Sequence, residues 1–431
     1  MKFIHTADIH LDSPLTGLSA YPDAPVELLR TATRDAFANL VNEAIEQQVD
    51  FMVIAGDLYD GTWKDHNTGV FFCKQMGLLK RAGIPVFLLF GNHDAESEMT
   101  KRLQLPDNVK TFGSRRAETF LIEHLNVALH GQSFRDRDTT QNLVTGYPVP
   151  LQGMLNIGVL HTALEGNAAH ATYAPCSVDE LHAKGYDYWA LGHVHEHQIW
   201  RGASTIVFPG NLQGRHVREQ GARGAVVVSA DESGVLDVER IFVDVLRWCA
   251  LEVDASACEN LADVAQLIGL ALEGVTNDVS STKPAAVRVT VTGSTRAHGE
   301  LFGFERQLRN EVIASAAVLG SDRIWIEKVK VATSPPVDVQ QAGDTADALA
   351  DLEGLFMAAE TDAEFLAALR TELLVMVTKA PPELQNSVPS FQSIREGHLA
   401  GLVQEVRPGL IAHLGTSGTS GPSGQSGAIH P

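Results

Sequence analysis

Residues 2–10, KFIHTADIH, form an apolar run of strand length that ends in two side chains able to bind a metal ion, Asp8 and His10. Four later runs end in the same way, in Gly56-Asp57, in Gly91-Asn92-His93-Asp94, in His161 and in Gly192-His193-Val194-His195. In an open α/β sheet the ligand crevice lies beyond the carboxyl ends of the strands, so side chains that are distant in sequence can converge there. Each motif alone reads as a turn or a cap, but five together predict a metal site.

The residue types of this set indicate which metal ions it could bind. Residues i and i+2 leave an extended chain on the same side, so Asp8 and His10 can reach one cluster, as can His193 and His195. The set contains the carboxylates of Asp8 and Asp57, the amide of Asn92 and the imidazoles of His10, His161, His193 and His195. This mixture suits Mn²⁺, Fe²⁺ or Zn²⁺ better than an all-oxygen Mg²⁺ or Ca²⁺ cage. Seven ligands exceed what one zinc ion takes, and they fit two ions that share a carboxylate.

The hydrophobic pattern of residues 1–243 predicts an α/β domain in which helices cover layers of sheet. Helical spacing appears at Leu29–Gln47 and at Phe71–Arg81. The predicted strands are Lys2–Thr6, Phe51–Ala55, Val86–Phe90, Asn126–Leu129, Ile157–Leu160, Tyr188–Leu191, Thr205–Phe208 and Ala225–Val228.

Three further regions follow. Residues 246–333 predict a smaller α/β domain, with helices near Leu261–Leu272 and Leu301–Ala317 and strands at Val287–Thr292 and Ile324–Val331. Ser334–Val337 reads as a linker, and residues 338–414 form an acidic region with helical stripes, punctuated by Pro381, Pro382 and Pro408. Residues 415–431 are rich in Gly, Ser and Thr, which predicts a disordered tail.

Composition limits the class of protein. The 431 residues carry a net charge of −20, which argues against binding nucleic acid through the overall field. A local excess of positive charge occurs at Arg201, Arg215, Arg218 and Arg223, which are opposed by Glu219. Guanidinium groups there could bind phosphate at the mouth of the site, or the segment could be an ordinary solvated loop. Arg215 and Arg218 are the predicted substrate contacts.

The sequence predicts neither a membrane span nor a secretory signal, and its cysteines do not suggest disulfides or a metal site. No apolar run approaches the ~20 residues that a membrane span needs, and the first residues lack the layout of a secretory signal. We therefore expect a cytoplasmic protein that does not bind membranes. The four cysteines are too few for a disulfide scaffold and are not spaced as a metal-binding pair.

In this order, the five motifs resemble the full signature of the calcineurin-like metallophosphoesterases. The opening Ile4-His5-Thr6-Ala7-Asp8-Ile9-His10-Leu11-Asp12 resembles the start of DNA repair exonucleases of the SbcD type. The stretch FPGNLQGRH at 208–216 is similar to the YhaO-type branch of that group. The resemblance is strong over residues 1–240, and it implies a layered α/β metallophosphoesterase core.

The resemblance also implies a role for each site residue. Asp8, His10, Asp57 and His195 would bind one metal ion, and Asp57, Asn92, His161 and His193 would bind the other. His93 would face the scissile phosphate, oriented by Asp94. The sequence departs from the family pattern at Asp60, where archaeal and eukaryotic relatives often carry a histidine thought to position DNA.

These roles predict a two-metal phosphodiesterase, with Mn²⁺ as the expected metal and DNA as the expected substrate. The family implies a coiled-coil ATPase of the ABC type (SbcC-like or YhaN-like) as partner, and a homodimer as a further assembly. The helices of 338–414 would attach to the ATPase, although a small bundle packed on the second domain explains their stripes equally well. Two alternatives stay open: a phosphodiesterase or phosphatase acting on a nucleotide or another small phosphoester, and a scaffold subunit with a vestigial site.

Overall fold

The computed structural model describes residues 1–13, 15, 25–60, 66–96, 104–164, 173–231, 236–277, 283–320, 322–336, 344–380, 389–404, 406–407 and 410. The chain divides into two compact units, one of residues 1–250, 278–288 and 322–327, and one of residues 251–277, 289–321 and 328–431. The predicted tail at 415–431 and the prolines at 381, 382 and 408 lie outside the described residues.

The first unit contains two six-stranded sheets. The first sheet has the spatial order β12 (Leu236–Phe242), β11 (Gly224–Ala230), β1 (Lys2–Thr6), β2 (Phe51–Ala55), β3 (Val86–Leu89) and β4 (Val109–Thr111). The second has the order β5 (Glu118–Ile122), β6 (Val127–Gly131), β7 (Leu155–His161), β8 (Tyr188–Gly192), β10 (Thr205–Phe208) and β9 (Gln198–Arg201). Strands β1 to β4 are parallel to one another, as are β6, β7, β8 and β10. Parallel strands present their carboxyl ends at a common edge.

Successive side chains of a strand point to opposite faces of its sheet, and this alternation determines how the sheets and helices pack in layers. Ile4 packs with Phe37 and Phe72 of helices α1 (Val26–Glu46) and α2 (His66–Arg81). Its neighbour Phe3 points the other way and packs with residues of the second sheet, such as Tyr188. A third cluster covers the far face of the second sheet with helix α4 (Val178–Ala183). The result is the helix, sheet, sheet, helix layering that two-sided burial of these strands requires.

Strands and helices alternate again after residue 246. A three-stranded sheet has the order β13 (Arg247–Asp254), β14 (Ala285–Thr292) and β15 (Ile324–Val331), and helices α5 (Leu261–Asn277), α6 (His298–Gly303) and α7 (Glu305–Gly320) lie between the strands in sequence. Helices α8 (Asp344–Thr361), α9 (Ala363–Lys379) and α10 (Pro389–Glu396) follow. No described helix has both the length and the apolar composition needed to cross a membrane.

The predicted α/β architecture is confirmed, and the differences are local. The helix predicted at Leu301–Ala317 is two helices, α6 and α7, because the backbone leaves the helical conformation at Phe304. One short helix, α3 (Asn92–Glu96), begins directly at a predicted ligand.

Candidate metal centre

The carboxyl ends of five strands and the loops that follow them bring the seven predicted ligands together. The pairing of β1 with β2 continues beyond the strands, where the Asp8 N–H donates to the Gly56 carbonyl and the His10 N–H donates to the Asp57 carbonyl, both at 3.0 Å. The second sheet contributes His161 at the end of β7 and both histidines that follow β8. All of these ligands except His195 are buried.

The first group of ligand atoms belongs to Asp8, His10 and His195, and these atoms lie within 4.8 Å of one another. His10 Nε2 is 3.3 Å from His195 Nε2, which in turn is 3.9 Å from Asp8 Oδ1. Both Asp8 carboxylate oxygens accept a hydrogen bond from the backbone N–H of His193, at 3.1 and 3.0 Å. This bond ties the loop after β1 to the loop after β8.

The second group belongs to Asp57, His161 and His193, again within 4.8 Å. Asn92 joins it, because its Oδ1 is 3.0 Å from His161 Nε2. Asp57 Oδ2 lies 3.4 Å from His161 Nε2 and 4.0 Å from His10 Nε2. Asp57 is therefore the carboxylate that lies between the two groups.

Hydrogen bonds fix which nitrogen of His161 faces the second group. Its Nδ1 donates to the Ala55 carbonyl at 2.9 Å, so the lone pair of Nε2 points at Asn92 and Asp57. Three electron-rich atoms that face one another require a cation among them, either a proton or a metal ion. Although burial lowers it, the pKa of His161 is raised to about 9 by the charge of Asp57 and its hydrogen bond. Both the donor types and the electrostatics fit a divalent ion at this position.

The backbone of the ligand loops is strained in a way that places the side chains. Asp8, His10 and Asp57 have φ values of 49°, 45° and 52°, in the left-handed region that residues with a Cβ seldom adopt. Such outliers cluster at functional sites, because the surrounding structure must hold them. At Gly91 the side chains of other residues approach the backbone closely. A Cβ there would collide with the Asp57 carboxylate and the His161 ring, so only glycine fits.

His93 lies beside the first group but is paired with a different carboxylate from the predicted one. Its Nδ1 is 3.0 Å from Asp60 Oδ1, and its ring centroid is 5.0 Å from that of His10. Burial opposes the charged form, yet the hydrogen bond to Asp60 raises the pKa of His93 above its ordinary value. The other oxygen of Asp60 accepts from Ser13 Oγ at 2.9 Å.

The prediction that Asp94 orients His93 is therefore wrong. The Asp94 carboxylate accepts backbone hydrogen bonds from Leu58 at 3.1 Å, Tyr59 at 2.9 Å and Gly91 at 3.0 Å. The reason is helical geometry, because adjacent residues of α3 do not face each other. Asp94 instead joins the loop after β2 to the loop after β3.

A buried carboxylate that the sequence pattern did not single out contacts the first group. Glu219 Oε1 is 2.7 Å from His195 Nδ1. Although burial opposes it, the hydrogen bond to His195 and the charge of Arg215 hold the pKa of Glu219 well below its ordinary value. Sequence alone gave no signal for this contact, since hydrogen-bond partners on different loops follow no fixed spacing.

The basic cluster separates into exposed and engaged residues. Arg218 is exposed, and so is Arg201. Arg215 is folded inward, where Nη1 is 3.4 Å from Ser13 Oγ and Nη2 is 3.5 Å from Glu219 Oε1. Arg223 is buried and donates to the His195 carbonyl at 2.6 Å. Arg218 is thus exposed, whereas Arg215 and Arg223 are turned toward the ligand loops.

Comparison with known proteins gives two family matches. Residues 1–197 match the calcineurin-like phosphoesterases. Residues 248–334 match the middle domain of the metallophosphoesterase YhaO.

Similar proteins include two with curated names. The uncharacterized metallophosphoesterase YhaO of Bacillus subtilis is 32% identical over 272 residues, which are 62% of this chain and 66% of that protein. The DNA double-strand break repair protein Mre11 of Methanopyrus kandleri is 24% identical over 372 residues, which are 79% of each chain. A crystal structure of a dimetal phosphatase from Danio rerio aligns with 54% of this chain and 93% of its own, with 12% identity and a TM-score of 0.35.

Proposed function

Because this chain belongs to the calcineurin-like metallophosphoesterases, with a middle region of the YhaO type, we propose that it is a two-metal phosphodiesterase that cleaves DNA. One observation carries the proposal. Two groups of carboxylate and imidazole ligands lie side by side, with Asp57 between them. The first ion would take Asp8, His10, Asp57 and His195, and the second would take Asp57, Asn92, His161 and His193. We propose Mn²⁺ for both.

The proposed chemistry divides between the metal pair and the protein. Two divalent ions held by these ligands would activate a water molecule near neutral pH and would neutralise charge on the phosphate oxygens. His93 then stabilises the transition state, or donates a proton from its ring to the departing 3′ oxygen. Asp60 holds the Nδ1 of His93, so Nε2 would be the nitrogen that faces the substrate. Asp94 fixes the loops that carry Asp57 and Asn92.

DNA is proposed as the substrate on two grounds. Similar proteins include one named for double-strand break repair, and the exposed Arg218 lies one residue from Glu219, which contacts the first ligand group. Phosphate contacts of this kind carry no base information, so cleavage should depend little on sequence. The enzyme would act in the cytoplasm, where a homodimer is a further proposed assembly.

A coiled-coil ATPase of the ABC type is the proposed protein partner. Helices α8 and α9, together with Leu402, Val403, Val406 and Leu410, line an apolar groove of about 640 Å³, which also includes Leu355 and Phe365. The side chains of Leu355, Phe365 and Val406 are 68%, 44% and 53% exposed. An amphipathic partner helix is a standard occupant of such a groove. On α9, the apolar residues Leu366, Leu369, Leu373 and Val377 pack partly with Phe391 and Ile394 of α10.

The proposal is tested by a digest in which the chain, with added Mn²⁺, is offered linear duplex DNA, single-stranded DNA, a nucleotide phosphoester and bis-p-nitrophenyl phosphate. We expect cleavage of DNA that disappears in chelator. The variant His93→Gln should lose turnover by about 10²–10⁴-fold while it retains bound metal. Cleavage of the nucleotide without cleavage of DNA would support the small-molecule alternative, and no cleavage of any substrate would support the scaffold alternative.

A further inference from the structure

Glu219 is buried, and its carboxylate contacts the metal-ligand candidate His195 and residues of the segment 211–216. Its Oε2 accepts from the Arg215 backbone N–H at 2.7 Å and from Asn211 Nδ2 at 3.0 Å. Its Oε1 is 2.7 Å from His195 Nδ1 and 3.7 Å from His216 Nε2. The carboxylate is therefore fixed through Oε2, while Oε1 faces the His195 imidazole and, at 3.5 Å, Nη2 of Arg215.

This contact sets the orientation of the His195 ring. A carboxylate only accepts hydrogen bonds at neutral pH, so His195 Nδ1 is the donor, and in the neutral ring the lone pair is then on Nε2. That nitrogen is turned toward His10 and Asp8, at 3.3 and 3.9 Å. His161 is oriented in the same sense by a backbone carbonyl, that of Ala55, which no substitution removes. His195 depends on a side chain.

The backbone of His195 is fixed by a second buried residue. Arg223 Nη1 donates to the His195 carbonyl at 2.6 Å and to Asn211 Oδ1 at 3.3 Å. Asn211 in turn donates to Glu219. The ring and the carbonyl of His195 are thus held by one connected set of polar side chains, which occupies the segment 211–223 between β10 and β11.

We propose that Glu219 is a positioning residue for the metal position formed by Asp8, His10 and His195, and that the other position does not depend on it. The inference rests on the proposed function only in that the centre must bind metal, and it does not require that the substrate is DNA. Removing the hydrogen-bond partner of a metal-binding histidine typically lowers metal affinity or activity by about 10–100-fold.

The test is a calorimetric titration of the metal-free, full-length chain with Mn²⁺, carried out on the wild type, on Glu219→Gln and on Glu239→Gln. Glu239 is an exposed carboxylate on β12 and serves as the matched control. We expect two sites in the wild type and in Glu239→Gln. In Glu219→Gln we expect one affinity to fall by about 10–100-fold and the other to stay unchanged.

A second measurement keeps the test decisive if Glu219→Gln is poorly folded. Glu219→Asp keeps the charge but withdraws the carboxylate, so it should weaken the same single site. Nitrogen NMR of the metal-free protein should find the His195 ring proton on Nδ1 in the wild type. In folded Glu219→Gln it should find a mixture of the two tautomers of His195. Unchanged affinities in a folded variant, or an equal loss at both sites, would overturn the inference. A wild type that binds no Mn²⁺ would overturn the proposed function itself.

Discussion

His93 takes its hydrogen-bond partner from the loop after β2. Asp60 follows Asp57 by three residues, and the loop that begins at Gly56 places both carboxylates at the centre, one facing the ligands and one facing His93. Asp94 is adjacent to His93 in sequence but accepts three backbone hydrogen bonds instead. The two carboxylates near His93 thus have different functions. Asp60 orients His93, the proposed proton donor, and Asp94 stabilises the backbone of the loops.

Exchanging each acid for its amide should separate these functions. Asp60→Asn should lower kcat by about 10–100-fold, because His93 loses the partner that orients it, while two metal ions stay bound. Asp94→Asn should lower the free energy of unfolding by about 1–3 kcal/mol, because backbone donors buried beside it lose an acceptor. Steady-state kinetics with metal analysis measures the first effect, and denaturant unfolding measures the second. Full activity in Asp60→Asn would exclude an orienting role.

His5 predicts a pH dependence of stability. It is fully buried between Tyr188 Oη at 2.9 Å and the Leu191 carbonyl at 3.0 Å, and burial lowers its pKa to about 3. In the unfolded chain its pKa is about 6.5, so between these values the unfolded state binds more protons and stability falls as the pH falls. The loss is roughly 2–3 kcal/mol between pH 6.5 and pH 4.5.

Replacing His5 with glutamine should remove this contribution. We expect the unfolding free energy of His5→Gln to fall less steeply than that of the wild type over the same pH window, when both are measured by denaturant unfolding in chelator. Parallel pH profiles of the two proteins would show that His5 is not the group that titrates.

At the scale of the elements, the sequence predicted the strands that are buried on both faces and missed the strands with polar alternation. β2 is a continuous apolar run and β1 is buried from Phe3 to Thr6, and both strands begin and end where predicted. β5 and β12 are edge strands in which exposed polar residues interrupt the apolar pattern, so no run marked them. Burial on one face only leaves a weaker signal than burial on two.

The same distinction explains what could be predicted of the candidate site. The seven ligands lie at a strand end or within four residues of one, so the strand pattern predicted that they come together. Asp60 and Glu219 act through hydrogen bonds made by loops, and their positions depend on backbone geometry that sequence spacing does not fix. The strained φ values of Asp8, His10 and Asp57 are a product of that geometry.

The apolar groove of the C-terminal helices makes a prediction at this scale. Leu355→Glu introduces a charge into the groove without removing a buried side chain, so it should weaken binding of the coiled-coil ATPase by at least about tenfold. Leu270→Glu is the matched control, because Leu270 is 57% exposed on α5 and does not line the groove. Affinity is measured by titration of the two purified proteins. Equal binding by both variants would remove the groove from the interface.

At the scale of the whole molecule, the net charge of −20 opposes DNA binding, so affinity must come from few local contacts. We expect weak, salt-sensitive binding of duplex DNA. Arg218→Ala should weaken it for all sequences alike and reduce the slope of log K against log salt by about 1. Arg116→Ala, which alters an exposed arginine distant in sequence from the centre, is the control. Fluorescence anisotropy at several salt concentrations measures both, and a loss confined to certain sequences would contradict a phosphate contact.

Electron paramagnetic resonance of the chain loaded with two equivalents of Mn²⁺ tests most directly whether two metal ions share Asp57. Ions about 3.5–4 Å apart with a common carboxylate are exchange-coupled. We predict the spectrum of a coupled pair in the wild type and in Asp60→Asn, and its loss in Asp57→Asn. A wild-type spectrum of isolated ions, or binding of only one ion per chain, would contradict the account.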